Sequence, residues 1–213
     1  MKITQPEKDF TIRDFRLPTK KEILESFSEN IRNKVGDIIS LWTMNIKWES
    51  IVLHIPISPS PSKRPRLSGY RVYVPGAAKN AQFFDKYVRP SLDGLNIHSP
   101  CKFNLSIFIE TPQSLTQTQK LLAELHILRP WGSKGDIDNY EKSVYDMIQP
   151  NVKRGHIGIL SDDSLIIDAH TKKYYSKTPR YELEITYMTN IPDELRKVMK
   201  MDGPQFVPWD DIL

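Results

Sequence analysis

Cys101, Phe103, Leu105, Ile107 and Ile109 put an apolar side chain at every second position, the period of a strand with one face turned to a core. A helix repeats every 3.6 residues and would scatter these side chains around its surface, so the chain must build a sheet. Ile51, Leu53, Ile55 and Ile57 repeat the alternation, as do Tyr70, Val72 and Val74. Two later strand-like runs, 165–175 and 180–187, are separated by Ser176-Lys177-Thr178-Pro179. A further strand is expected at 125–128, placed to pair with the run from Cys101 to Ile109.

Helices are expected between these strands. Thr19 followed by Glu22 fits a capping box, and Ile23, Phe27, Ile31, Val35 and Ile38 keep helical spacing, so one helix is expected over 19–41. Helical composition also covers 77–88 and 114–123, and Tyr140, Val144, Met147 and Ile148 mark a helix ending at Pro150. The fold class is therefore α+β, a mixed sheet packed with helices plus an N-terminal helical arm. The expected divisions are an arm at 1–48, a domain at 49–189 and a tail at 190–213.

Several functions are excluded. The lone Cys101 forms no internal disulfide or thiolate zinc cluster, and its alternation with apolar partners marks it as buried. No apolar stretch approaches the roughly 18 residues of a membrane span, so no membrane association is expected. The first residues lack the apolar segment of a secretory signal, and the expected location is the compartment where the chain is made, the cytoplasm. Phosphate-loop, dinucleotide and serine-nucleophile motifs are absent. The five histidines show no paired ligand spacing, and His156, in Lys153-Arg154-Gly155-His156, reads as a solvated loop residue.

The net charge is only +4, but it is unevenly distributed. Lys63, Arg64, Arg66, Arg71 and Lys79 fall between Ile51 and Phe84 with no acidic residue among them. Pro59, Pro61 and Pro65 make 58–69 an exposed loop carrying the first three cations. Such a loop suits a polyanion, and Lys63, Arg64, Arg66 and Arg71 are the candidates for contacts to its phosphates. A solvated basic loop without a partner would have the same composition.

The sharpest motif is Gly135-Asp136-Ile137-Asp138-Asn139-Tyr140-Glu141-Lys142. Two carboxylates at a helix start can be a cap and a dipole partner. However, Lys142 shares the face of Asp138, and Asp162-Asp163 precedes a strand after a single helix and loop, where the return can bring it beside the first pair. Convergent carboxylates repel, and a hard divalent cation offsets that repulsion. An aspartate set without thiolates or ligand-spaced histidines suits Mg²⁺ bound together with waters and phosphate oxygens. Lys142 would then neutralise a phosphate oxygen or orient water, or else pair with Asp138 or Asp146 as a helix salt bridge.

Asp136-Ile137-Asp138-Asn139 with Lys142, then Asp162-Asp163, and upstream Ser62-Lys63-Arg64-Pro65-Arg66 with Arg71-Val72-Tyr73, resembles the RusA-like Holliday-junction resolvases over 51–185. Lys173-Tyr174-Tyr175 with Pro179-Arg180-Tyr181-Glu182-Leu183 is similar to that family's C-terminal hairpin. The resemblance implies a magnesium-dependent, homodimeric endodeoxyribonuclease that nicks branched DNA at paired positions. It carries the functional positions onto Asp136, Asp138, Asp163 and Lys142, with the three aspartates as metal ligands and Asp162 an adjacent candidate. It says nothing of the arm or of the tail, whose Phe206-Val207-Pro208-Trp209-Asp210-Asp211-Ile212-Leu213 has a composition suited to docking on a protein partner. The alternative reading is a non-catalytic DNA-binding accessory protein of recombination or phage DNA packaging.

Overall fold

The structure is a computed structural model that describes residues 18–62, 66–68, 71–73, 77–131 and 135–200. The chain divides into two compact units, Met1–Met44 and Asn45–Leu213.

The first unit contains α1 (Lys20–Glu25) and most of α2 (Glu29–Asn45). The Thr19 hydroxyl accepts from Glu22 N at 3.3 Å, and Thr19 N donates to Glu22 Oε2 at 2.7 Å, closing the capping box. The expected single helix over 19–41 is in fact two helices. Ser26 donates its hydroxyl to the Ile23 carbonyl at 2.6 Å, and serine side chains that bond nearby backbone compete with helix continuation. The apolar spacing runs unbroken across this interruption, which is why periodicity alone missed it. Neither helix has a buried residue.

The second unit is built on a four-stranded sheet. Its strands are β1 (Lys47–Ile55), β4 (Cys101–Glu110), β5 (Ile166–Ser176) and β6 (Arg180–Thr189), in the order β1-β6-β4-β5. β6 pairs antiparallel with β1 and β4, and β5 pairs parallel with β4. Outside the sheet, β2 (Arg66–Ser68) and β3 (Arg71–Tyr73) form a small ladder, and α3 (Ala77–Phe83) continues into the turns Phe84–Val88 and Arg89–Leu92. α4 (Gln117–Glu124) and α5 (Ile137–Ile148) supply the crossover that a parallel β4–β5 pair requires. α6 (Asp193–Val198) follows β6 and buries Leu195.

Alternation decides the two faces of the sheet. Phe103, Leu105 and Ile107 of β4 are buried with Leu53 and Ile55 of β1 and Tyr181, Leu183 and Ile185 of β6. α5 closes this core with Tyr140, Val144, Met147 and Ile148, the four residues whose spacing foretold the helix. The opposite face is polar: Asn104 donates to Glu184 at 3.1 Å, and Lys102 lies 5.0 Å from the Trp48 ring centroid. Cys101 is fully buried, and burial pushes its thiol up to about 11, an inert core group.

Three further expectations are corrected. The runs 165–175 and 180–187 are not a hairpin, because β4 lies between β5 and β6. Lys177, Thr178 and Pro179 bridge two strand spacings, about 9.5 Å, within reach of three residues extended at roughly 3.5 Å each. The most apolar strand, β4, takes one of the two interior positions, where both its edges are paired. Residues 125–128 form no strand either: Ile127 N and Leu128 N both donate to the Leu122 carbonyl, at 2.9 and 3.0 Å, so this backbone is spent closing α4. Lastly, part of the expected loop at 58–69 is strand β2. All three prolines precede Arg66, so pairing is free to begin there.

Candidate active site

Gly135 enters α5 at φ +93°, and a β-carbon there would lie 3.0 Å from Pro61 Cγ and 3.1 Å from Tyr140 Cε2. Only glycine allows residues 58–62 to pass this close to the helix start. The contact is reinforced by Ser62 N, which donates to the Asn139 carbonyl at 2.8 Å, and by Ser60 N, which donates to the Tyr181 hydroxyl at 3.1 Å. From below, Lys173 of β5 donates Nζ to the Gly135 carbonyl at 2.7 Å. The first turn of α5 is therefore held by the sheet on one side and by the root of the basic segment on the other.

Asp136 occupies the N-cap position of α5 with extended backbone (φ −74°, ψ 151°), yet its side chain makes no capping hydrogen bond. The ordinary capping role is thus not the one Asp136 plays. Asp138 lies in the first turn, where its charge is favoured by the helix dipole, and both aspartates are exposed. Lys142 is exposed one turn further on and makes none of the ion pairs among the described residues.

The return from α5 is clamped to the helix it leaves. Ile159 N and Leu160 N both donate to the Ile148 carbonyl, at 2.7 and 3.1 Å, and Ser161 N donates to the Ile97 carbonyl at 3.1 Å. Gly158 makes this possible: its φ is +65°, and a β-carbon there would collide with the Ile148 carbonyl oxygen. His156, expected in a solvated loop, is buried instead. Its Nδ1 lies 2.6 Å from Asp85 Oδ2 and its Nε2 lies 2.7 Å from the Met147 carbonyl, an anchorage that neighbouring basic residues conceal in sequence. The Ser161 hydroxyl lies 2.5 Å from His98 Nδ1, and burial, then Arg196, holds the His98 pKa below its ordinary value.

This clamp delivers Asp162 and Asp163 to the start of β5, where they differ. Asp162 Oδ1 accepts from Ser164 N at 2.8 Å and caps the short turn Asp163–Leu165. Asp163 is exposed, with its charge felt at Tyr145 of α5. Burial, then Glu141, Asp163 and Cys101, push the Tyr145 phenol up to about 12. Asp163 and Glu141 therefore bear on one group of α5. At about 100° per residue, Asp138, Glu141, Lys142 and Tyr145 share a side of that helix.

Sequence reasoning overlooked Glu141, which accepts from the Thr171 hydroxyl of β5. Its place three residues after Asp138 was the available signal. Lys173 belongs to the C-terminal motif, but nothing local announces that it holds the Gly135 carbonyl. Among the basic candidates, Arg66 and Arg71 lie in β2 and β3, opposite Tyr73 and Ser68 respectively. Lys63 and Arg64 lie outside the described residues, immediately after the anchored Ser62.

Among the described residues, no three Asp, Glu, His or Cys side chains stand close enough together to hold a metal ion. The donors at the mouth of α5 nevertheless fit a hard cation in kind. They are exposed carboxylates, one of them released from capping, and magnesium commonly uses one or two carboxylates with waters and substrate phosphates.

Residues 56–186 match the family model for endodeoxyribonuclease RusA, a span that takes in every candidate above. The chain belongs to the RusA endodeoxyribonuclease family. It is also 31% identical over 138 residues to "Uncharacterized protein YqaN" of Bacillus subtilis (strain 168), covering 60% of this chain and 89% of that protein. At the level of the family, the chain is a DNA-binding endonuclease of the Holliday-junction-resolving kind, and the α+β fold agrees. Among the described residues, no helix is long and apolar enough to cross a membrane.

Proposed function

We propose that this protein is a magnesium-dependent, structure-selective endonuclease that resolves four-way DNA junctions by paired nicks and acts as a homodimer in the cytoplasm. The observation that carries the reading is the mouth of α5, where Asp136 stands at the cap position without capping and Asp138 follows on the exposed first turn. Asp136, Asp138 and Asp163 would hold the metal, which when bound supplies Lewis acidity and an activated water for phosphodiester hydrolysis.

The chain's own groups do the rest. Lys142, unpaired among the described ion pairs, offers its ammonium to a phosphate oxygen gaining charge. Lys173 and Gly135 hold the first turn of α5 in place, and Ser62 ties the root of the basic segment to that same turn. Lys63, Arg64, Arg66 and Arg71 would then lie along a DNA backbone whose scissile link faces the aspartates, contributing affinity without sequence information. A four-way junction has two-fold symmetry, so two matching nicks call for two copies of the site.

The test is a synthetic junction incubated with Mg²⁺ or with EDTA. Paired nicks are expected only with Mg²⁺, and Asp138→Asn should lose cleavage while still shifting the junction on a gel. Undiminished cutting by that variant refutes the assignment. Shifted but uncut DNA with the wild-type protein in Mg²⁺ would leave a binding protein alone.

A further inference from the structure

We infer that the cavity between residues 57–60 and α3 is a nucleobase pocket, which takes an unpaired base from the strand being cut and so makes cleavage depend on the base at that position. The inference rests on the proposed function and adds to it what the acidic site lacks, a place where base identity can be read.

The cavity measures about 410 Å³, and its wall is formed by residues 57–60 with Lys79, Asn80 and Phe83. That volume lies within the roughly 300–1,000 Å³ of small-molecule sites. Ile57 and Pro59 contribute apolar surface, and Phe83, half-buried with its ring 4.9 Å from that of Tyr87, contributes an aromatic one. A flat heteroaromatic ring is the occupant such walls favour. The Asn80 amide adds polarity, and its orientation is set by Nδ2 donating to the Ser143 hydroxyl at 3.4 Å. A carboxamide offers both donor and acceptor, the pairing that reads a base edge.

Location decides between a base and a free small molecule. Two hydrogen bonds tie the cavity's walls to α5: Asn80 to Ser143, and Ser62, just beyond the wall, to the Asn139 carbonyl. Asn139 and Ser143 follow directly after Asp138 and Lys142, so at about 100° per residue they face the neighbouring side of the helix. A strand whose phosphate rests against Asp138 and Lys142 would therefore run beside the part of α5 to which the cavity walls are tied. The charge is complementary as well. Lys79 is exposed on the cavity wall, and no acidic residue occurs between Ile51 and Phe84. An unpaired base costs least to extrude, so a base opened at the crossover is the one such a pocket would capture.

The experiment uses junctions carrying 2-aminopurine at each position flanking the crossover in turn. These are bound by the full-length protein in EDTA and then, with natural bases, cut in Mg²⁺. One position should brighten on binding, and both Phe83→Leu and Asn80→Ala should reduce that signal severalfold. With each of the four bases placed at that position, the wild-type protein should show a cleavage preference that Asn80→Ala compresses about tenfold, the order of one base-edge contact. Lys79→Ala, on an exposed position, should lower junction affinity and reduce its salt slope by about one.

Cutting with the same base preference and the same fluorescence in Phe83→Leu and Asn80→Ala overturns the pocket and leaves the proposed function standing. A protein that neither binds nor cuts the junction overturns both.

Discussion

Replacing Gly135 by alanine tests whether the acidic turn and the basic segment are one assembly. The φ of +93° strains any L side chain, at a cost of about 1–3 kcal/mol. Alanine also restricts the unfolded chain, which returns about 0.4–1 kcal/mol. Gly94 supplies the control, because its φ is +74° but nothing lies within 4 Å of the point a β-carbon would occupy, so Gly94→Ala carries only these two effects. Gly135→Ala adds overlap with the rigid Pro61 ring at 3.0 Å and with Tyr140 at 3.1 Å, a crowding of about 1–3 kcal/mol. Gly135→Ala should therefore be less stable than Gly94→Ala by that margin, read from urea unfolding midpoints at equal slope. If the overlap is relieved by movement of Pro61, the Ser62–Asn139 bond is disturbed, and junction cleavage should fall roughly tenfold or more, as for other small misplacements of reacting groups. Equal stability of the two variants, together with equal cleavage, would show that residues 58–62 do not seat against α5 and would dissolve the site described above.

Other outcomes follow from single contacts. His156→Ala leaves the partly exposed Asp85 carboxylate and the Met147 carbonyl without their shared partner and should destabilise the fold by about 1–3 kcal/mol in urea, the cost of leaving hydrogen-bonding groups unmatched. Asp163→Asn removes one of the charges that raise the Tyr145 phenol, so that pKa should fall from about 12 in an ultraviolet titration, a readout independent of activity; an unchanged value would separate Asp163 from α5. Tyr145 and Tyr181 are both pushed up to about 12, so their neutral forms stabilise the fold fully below pH 10, and that contribution should be lost as pH rises from 10 through 12. Lys142→Ala should lower the cleavage rate by about a hundredfold while junction binding changes little, and Lys142→Arg should restore part of the rate if charge at the phosphate is what matters.

What could be read from sequence depended on how far apart the interacting residues lie. The alternation in β4 and the spacing of Tyr140, Val144, Met147 and Ile148 are local patterns, and each became a buried face. The pairing of strands is not local. Ser176 to Arg180 reads as a tight turn whether the strands it joins touch or straddle a third, and the choice was made by β4, far away in the chain. The arm's break at Ser26 was hidden for the opposite reason, since the apolar period was so regular that a competing serine bond left no trace in it.

The candidate site divides along the same line. Asp136, Asp138 and Lys142 share one helix and could be grouped from spacing alone. Which aspartate of the second pair is available could not, because it depends on a bond to the next turn: Asp162 is engaged by Ser164 N, while Asp163 is exposed and acts on Tyr145. The same holds for the supports. Lys173 and Gly135 are 38 residues apart, Ser62 and Asn139 are further still, and neither pair carries a local signal. Chemistry-bearing residues cluster in sequence because a helix turn presents them together, whereas the residues that aim them are recruited from wherever the sheet brings the chain back. The Lys173–Gly135 bond is thus the part of the site that the family's aspartate motif leaves open, and Lys173→Met should loosen the mouth of α5 while leaving every aspartate in place.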